Sequence, residues 1–313
     1  MDAGSTPVYP ILEIKLAFDM EREEPMPNLT VYKMVTDRII QELEKGIIPW
    51  HRPWTGVRTG AFNRVSKKPY SILNQMILGK PGEYATFKQW KDLGGNIKKG
   101  AKSKFVVFWK SIPVKSTNEN GEEITKQIPM LRYYNVFHIS DVDGVEPLED
   151  PFKDVEPIGS ADEVIENYVQ REQLDFNEQA SNEAYYSPTR DCVVVPKKEQ
   201  YALINEFYST TFHELTHSTG HKSRLNRFED GRSAAFGSET YSKEELIAEI
   251  GSATLLNTLG IETPKTFRNS AAYIQSWLGV LKNDVKFVVS AAGKADRAVQ
   301  YILTGKLEEI NND

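Results

Sequence analysis

Three of the five histidines in this 313-residue chain, His213, His217 and His221, lie close together. The stretch Thr211-Phe212-His213-Glu214-Leu215-Thr216-His217 contains His-Glu-x-x-His. On a helix, residues four apart share a face, so two imidazoles can grip one Zn2+. Glu214 projects beside that face, where it can act as general base on a water that the ion activates. The pattern fixes only three positions, and its bland reading is a surface helix with two solvated histidines. Tyr208, Thr211, Phe212, Leu215 and Thr216 recur at helical spacing, however, and argue for a packed helix.

Two histidines under-coordinate a catalytic ion, which commonly takes three protein ligands and water. His221, Glu244, Glu245 and Glu249 are the candidates. Gly220 should break the helix before His221. In Glu244-Glu245-Leu246-Ile247-Ala248-Glu249, Leu246, Ile250, Ala253 and Leu256 repeat at helical spacing and imply a buried face. A carboxylate buried beside it must be paired or bind metal. Glu245 and Glu249 are one turn apart, which resembles the gluzincin arrangement. That resemblance gives Glu245 to the metal and Glu249 to the orientation of a ligand histidine; the swapped assignment stays open. Glu244 reads as a solvated helix residue. His221 and Tyr241 are candidates for oxyanion or substrate contacts, against a purely structural role for each.

The elements that must position these residues follow from pattern and punctuation. The metal helix is expected over 199–219 and the acidic helix over 243–259, with further helices near 161–172, 264–281 and 284–304. Residues 183–186 and 192–195 read as two short strands around the turn Ser187-Pro188-Thr189-Arg190-Asp191. Upstream, Asn28 can cap a helix carrying Val31, Val35, Ile39 and Leu43 on one face. Ser71 and Thr86 can cap two short helices, and 104–114 with 128–139 reads as a long hairpin.

Residues 1–27 are an acidic, proline-containing leader, expected to be dispensable. The fold class is α+β in two domains. A small α+β nucleic-acid-binding domain spans 28–145, residues 146–160 form a linker, and a mainly helical domain with a short β-sheet spans 161–313. No apolar run reaches the length of a membrane span. The single Cys192, within Cys192-Val193-Val194-Val195, excludes an internal disulfide framework and fits a reducing cytoplasm; it reads as a buried small hydrophobe.

The net charge of −6 conceals an asymmetry: residues 26–145 carry 19 Lys+Arg against 10 Asp+Glu, and residues 146–313 carry 17 against 28. A polyanion partner is therefore expected for the first half only. There, cations interleave with rings. Arg64, Lys67, Lys68, Lys98, Lys99, Lys102, Lys104 and Trp109 are the contact candidates, and Trp90 and Phe108 read as core. Such a mixture suits single-stranded DNA, whose phosphates attract cations and whose unpaired bases stack on rings. The bland alternative is a solvated basic face over an aromatic core.

The series Tyr208-x-x-Thr-Phe-His-Glu-Leu-x-His-x-x-Gly-His-x-x-Arg-Leu-x-Arg227 resembles the ArdC-type antirestriction proteins of mobile elements. So do Phe236-Gly237-Ser238-Glu239, Tyr241 and the 244–249 run. The N-terminal half agrees in Ile48-Pro49-Trp50, Pro53-Trp54, Gly100-Ala101-Lys102-Ser103 and Tyr133-Tyr134-Asn135-Val136-Phe137. The resemblance covers about residues 28–305. It implies an N-terminal single-stranded-DNA-binding domain, a C-terminal zincin-like domain, and protection of incoming DNA from host restriction. It carries the metal role to His213, His217 and Glu245 and the acid/base role to Glu214. Zn2+ is the expected ion, with Mn2+ or Co2+ as alternatives. Peptide-bond hydrolysis does not follow from the fold, since a zincin can hold metal for structure alone. Rival readings are a metallopeptidase acting on DNA-bound proteins, and a regulatory peptidase whose N-terminal domain grips a protein substrate.

Overall fold

The computed structural model describes residues 28–51, 60–117, 123–148, 159–228, 239–261 and 271–306. The leader, the Pro53-Trp54 turn, the tip of the hairpin, most of the linker and the 229–238 loop lie outside them. The chain has a two-domain α+β architecture.

The N-terminal half opens with α1 (Asn28–Glu44) and a 3-10 turn (Pro49–His51). Four short elements follow: β1 (Ala61–Asn63), α2 (Ile72–Leu78), β2 (Gly82–Ala85) and α3 (Phe87–Asp92). β3 (Asn96–Ile97) and the long hairpin β4 (Lys104–Thr117) and β5 (Glu123–His138) come next, then β6 (Val142–Asp143). The main sheet has the order β1-β2-β5-β4, with β1 and β2 parallel and the remaining pairs antiparallel. Two of the expected caps, Ser71 and Thr86, are present, whereas Asn28 is the first residue of α1 itself. Ser71 Oγ accepts from Asn74 N at the start of α2, and Thr86 and Gln89 form a reciprocal capping box on α3.

Two consecutive amides of α2 hold that helix to the sheet. Asn74 mimics a peptide group towards β4, donating to Val107 O at 2.8 Å and accepting from Val107 N at 2.8 Å. Gln75 does the same at β1, accepting from Ala61 N at 2.7 Å and donating to Ala61 O at 2.8 Å. Val107 N and O and Ala61 N thereby gain partners, and Ala61 O accepts from Tyr70 N as well.

The C-terminal half contains α4 (Ala161–Glu172), β7 (Asp175–Gln179), β8 (Tyr185–Ser187), β9 (Cys192–Pro196) and α5 (Ile204–Ser218). α6 (Glu239–Thr258), α7 (Ala271–Asn283) and α8 (Phe287–Thr304) complete it. Its sheet has the order β7-β9-β8, with β7 parallel and β8 antiparallel to β9. β7 had no counterpart in the sequence reading, because Asp175-Phe176-Asn177-Glu178-Gln179 shows no apolar alternation. Cys192 is buried in β9, as expected of a small hydrophobe.

α6 is the central helix. Leu246, Ile247, Ile250 and Ala253 enter one core, and Leu255 and Leu256 enter another. A helix apolar around most of its circumference must be covered on several sides. The first of these cores crosses the domain division. Val31, Val35, Ile39 and Leu43 of α1, each at most 1% exposed, pack with Trp277, Leu281, Phe287 and Val288 of α7 and α8. Each such aliphatic chain contributes up to about 1.5–3 kcal/mol. Thr36 Oγ1 also donates to Val285 O at 2.7 Å across the same contact. No helix among the described residues is long and apolar enough to cross a membrane.

Candidate metal centre and nucleic-acid face

α5 delivers His213 and His217 from one face, and α6 crosses it closely enough to add Glu245. The approach depends on Gly251, where an added Cβ would lie 2.7 Å from Thr216 Cγ2. The Nε2 atoms of His213 and His217 are 3.1 Å apart. Glu245 Oε2 is 3.5 Å from His213 Nε2, and its Oε1 is 3.4 Å from His217 Nε2. One donor atom from each of the three residues lies within 4.8 Å of the others. Two imidazole nitrogens and a carboxylate oxygen suit Zn2+ and other borderline divalent ions, so the donor set fits a cation.

The electrostatics fit as well. Burial opposes the charging of His217, but its hydrogen bonds to Glu244 and Glu245 and the Glu214 charge outweigh that and push its pKa up to about 10. Burial would raise Glu245, yet His213 and His217 hold it well below the usual carboxylate range. The acids around the imidazoles thus favour positive charge at this point.

Two further carboxylates lie against the outer nitrogens of these imidazoles. Glu249, 5% exposed in its side chain, places Oε1 3.5 Å from His213 Nδ1. Glu244 does the same for the other imidazole, with Oε1 3.5 Å from His217 Nδ1. The reading of Glu244 as a solvated residue is therefore corrected: its side chain is 16% exposed and is clasped by Arg227, with Nη2 2.6 Å from Oε1 and Nε 3.2 Å from Oε2. Arg227 also ties to Thr216 O and Thr219 Oγ1, which fixes it to the end of α5. The available signal was Arg227 itself, within the same run as the histidines. Outer carboxylates of this kind set the ring tautomer, leaving Nε2 free to bind an ion.

Glu214 is buried next to the ligands, and its charge acts on both His217 and Tyr241. Tyr241 stands one helical turn before Glu245 and hydrogen-bonds to it; burial and the charges of Glu245 and Glu214 push its phenol up to about 12. It is a neutral donor beside the site. His221 is not brought to the site. Beyond the end of α5, its Nδ1 lies 2.7 Å from Ser223 Oγ and 3.8 Å from Asp191 Oδ2. Asp191 in turn is held by the buried Arg224, which also donates to Ser218 O at 2.8 Å.

The basic candidates divide. Lys67, Lys68, Lys98, Lys99 and Lys102 are exposed. Lys98 donates to Ser140 O at 2.9 Å and lies 3.6 Å from Asp143. Arg64 is committed elsewhere: it pairs with the buried Glu83, whose other oxygen accepts from Leu148 N at 2.7 Å. Lys104 donates to Leu78 O at the end of α2, a structural cap. Trp109 is 36% exposed and sits edge-on to Tyr32 of α1, 6.3 Å between ring centres.

Trp90 is fully buried, as expected, and donates to Phe137 O at 2.9 Å. Phe108 departs from the reading as core. It is half-buried and stacks on Tyr134 with ring centres 4.4 Å and planes 4° apart; Tyr134 is 47% exposed. In the hairpin register Phe108 opposes Arg132, and Lys110 opposes Met130, so Lys110 and Arg132 share this face. Among the described residues Arg132 Nε makes no hydrogen bond. Side chains two apart share a face, which sets Phe108 and Lys110 opposite to Trp109; the unbroken apolar run 105–109 hid this in the sequence.

Comparison with known proteins agrees in both halves. Residues 30–137 match the model of the N-terminal domain of anti-restriction factor ArdC, and residues 163–294 match that of a zincin-like metallopeptidase. The crystal structure of the antirestriction ArdC protein from the R388 plasmid, metal-free, superposes with a TM-score of 0.66 at 33% identity. That match covers 88% of this chain and 99% of that one. Its Mn(II)-bound structure gives 0.67 at 32%, covering 87% and 96%. The uncharacterized protein y4eC of Sinorhizobium fredii is 30% identical over 92% of this chain and 96% of its own length. DNA primase TraC of Escherichia coli is 31% identical over 89% of this chain, which spans only 27% of that primase. By sequence along both halves and by fold, the chain belongs to the ArdC antirestriction family.

Proposed function

We propose that this protein binds single-stranded DNA through the outward face of the β4–β5 hairpin and holds a divalent cation at His213, His217 and Glu245, protecting incoming DNA from host restriction. The observation that carries the DNA reading is the Phe108–Tyr134 stack, exposed on a face that also bears Lys110 and Arg132. An open ring offers a surface to any unpaired base, and neighbouring cations follow the phosphates. The exposed Lys98, Lys99 and Lys102 precede β4 and extend the positive charge. The relatives named for antirestriction and for DNA priming agree with a partner of this class.

The test is binding of a labelled single-stranded oligonucleotide by the full chain, with duplex competitor, across a salt series. Preference for the single strand and an affinity that falls steeply with salt are expected. Equal binding of duplex, or none at low salt, sinks the DNA reading.

A second reading, peptide-bond hydrolysis on DNA-bound proteins, is favoured by the buried Glu214 beside the ligand set. A bound cation would polarise the scissile carbonyl and acidify water. Glu214 accepts the proton from the attacking water as hydroxide adds to the carbonyl carbon. It returns that proton to the amide nitrogen as the C–N bond breaks. Tyr241, whose hydroxyl bonds to Glu245 in this structure, would have to turn from it to donate to the developing oxyanion. Glu214→Ala separates the readings. Protection in cells that survives with cation retained excludes hydrolysis as the function, and protection lost with DNA binding intact supports it.

A further inference from the structure

His51 belongs to the N-terminal half, yet its ring lies against the metal-binding half. Its placement is rigid. Trp50, 3% exposed, meets Trp277 of α7 edge-on at 6.3 Å and 90°, and Ile48 is buried in the same core. The His51 side chain is 10% exposed, and its Nε2 lies 3.6 Å from Glu249 Oε2, within ion-pair range. The other oxygen of Glu249 faces His213 Nδ1 at 3.5 Å. Among the described residues His51 Nδ1 makes no hydrogen bond, and Nε2 is the ring atom that meets a polar group there.

We propose that His51 is a positioning residue for the cation site, acting through Glu249, and that docking of the N-terminal domain thereby raises cation affinity. The inference rests on the metal-centre reading above and adds a coupling between the two domains. A buried imidazole places its hydrogen on the nitrogen that faces an acceptor. The Nε2–H of His51 then points at Glu249 and holds the carboxylate in the rotamer that presents Oε1 to His213. His213 is kept with hydrogen on Nδ1 and the lone pair on Nε2, the form a cation needs. If His51 is removed or its domain undocked, Glu249 loses this neighbour and the ligand imidazole loses part of its orientation.

The experiment titrates the full-length protein with Co2+, followed by its visible absorption, alongside a thermal melt of each variant. His51→Ala should bind Co2+ about tenfold more weakly, the lower end of the effect of outer-shell substitutions. His51→Gln, which keeps a donor, should recover part of the loss. Thr36→Val removes an interdomain hydrogen bond remote from the site and should lower the melting temperature without changing Co2+ affinity. Unchanged affinity in His51→Ala overturns the proposal. So does an equal loss in Thr36→Val, which would show that affinity follows general stability. If the wild-type chain takes up no Co2+, the metal-centre reading itself fails, and this inference falls with it.

Discussion

Gly251 faces Thr216 across the contact of α5 and α6 with no room for a methyl group: a Cβ at Gly251 would lie 2.7 Å from Thr216 Cγ2. Thr216 cannot swing away without giving up its 2.7 Å hydrogen bond to Phe212 O. Gly251→Ala should therefore push α6 outwards, carrying Glu245 from the imidazoles. The expected cost is about 1–3 kcal/mol of stability, with cation affinity lowered together with it. Thermal melts with and without Zn2+ check this, and wild-type affinity in the variant would refute the geometric account.

Glu244 is the second case. Glu244→Gln keeps the volume but weakens the clasp with Arg227 and the hold on His217 Nδ1. Zn2+ affinity should fall about tenfold, whereas a solvated helix residue would give no change. In the wild-type chain, Zn2+ at one hundred times its dissociation constant should stabilise the fold by about 2.7 kcal/mol, and chelator should reverse that gain.

At the nucleic-acid face, Tyr134→Ala should weaken single-strand binding by about 1–3 kcal/mol while leaving the salt slope unchanged. Lys99→Ala with Lys102→Ala should instead flatten the slope. Arg64→Ala should leave the slope as it is and lower the melting temperature, because Glu83 would stay buried without its partner. Parallel salt titrations of the three variants distinguish the roles.

Asp296 on α8 has no part in either site, and burial pushes its carboxyl from 3.8 up to about 6. The folded chain holds this proton more tightly than the unfolded one. Below about pH 3 the group is protonated in both states and costs nothing. As pH rises from about 3 to about 7 the folded state loses stability, by about 3 kcal/mol in total. Asp296→Asn should raise the melting temperature at pH 7.5 and leave it unchanged at about pH 2.5. A gain of equal size at both values would contradict the assignment.

Much of this was legible in the residues. Val31, Val35, Ile39 and Leu43 announced a buried helical face, and Ser71 and Thr86 announced helix starts, because these signals are local. The hairpin was visible because the polar run Asn118-Glu119-Asn120-Gly121 separates two strand-like stretches. What the sequence concealed depends on who faces whom across long separations. Arg227 lies in the histidine run, but its spacing does not single out Glu244 among the acids of α6, and nothing near His51 says that Glu249 will sit opposite. Arg64 and Lys104 looked like free cations because their partners, Glu83 and Leu78 O, are chosen by the tertiary fold. β7 stayed hidden because its strand is held by pairing with β9 while its side chains stay largely exposed.

The helix α1 is counted with the first domain by sequence but forms part of the wall of the second in space. A protease that cut between residues 149 and 158 would sever the covalent link and leave that wall standing. The two fragments should travel together as one particle and part only in denaturant. Expressed separately, each would carry a raw apolar flank. Domain dissection by truncation is thus a harsher operation on this protein than a nick in the same place.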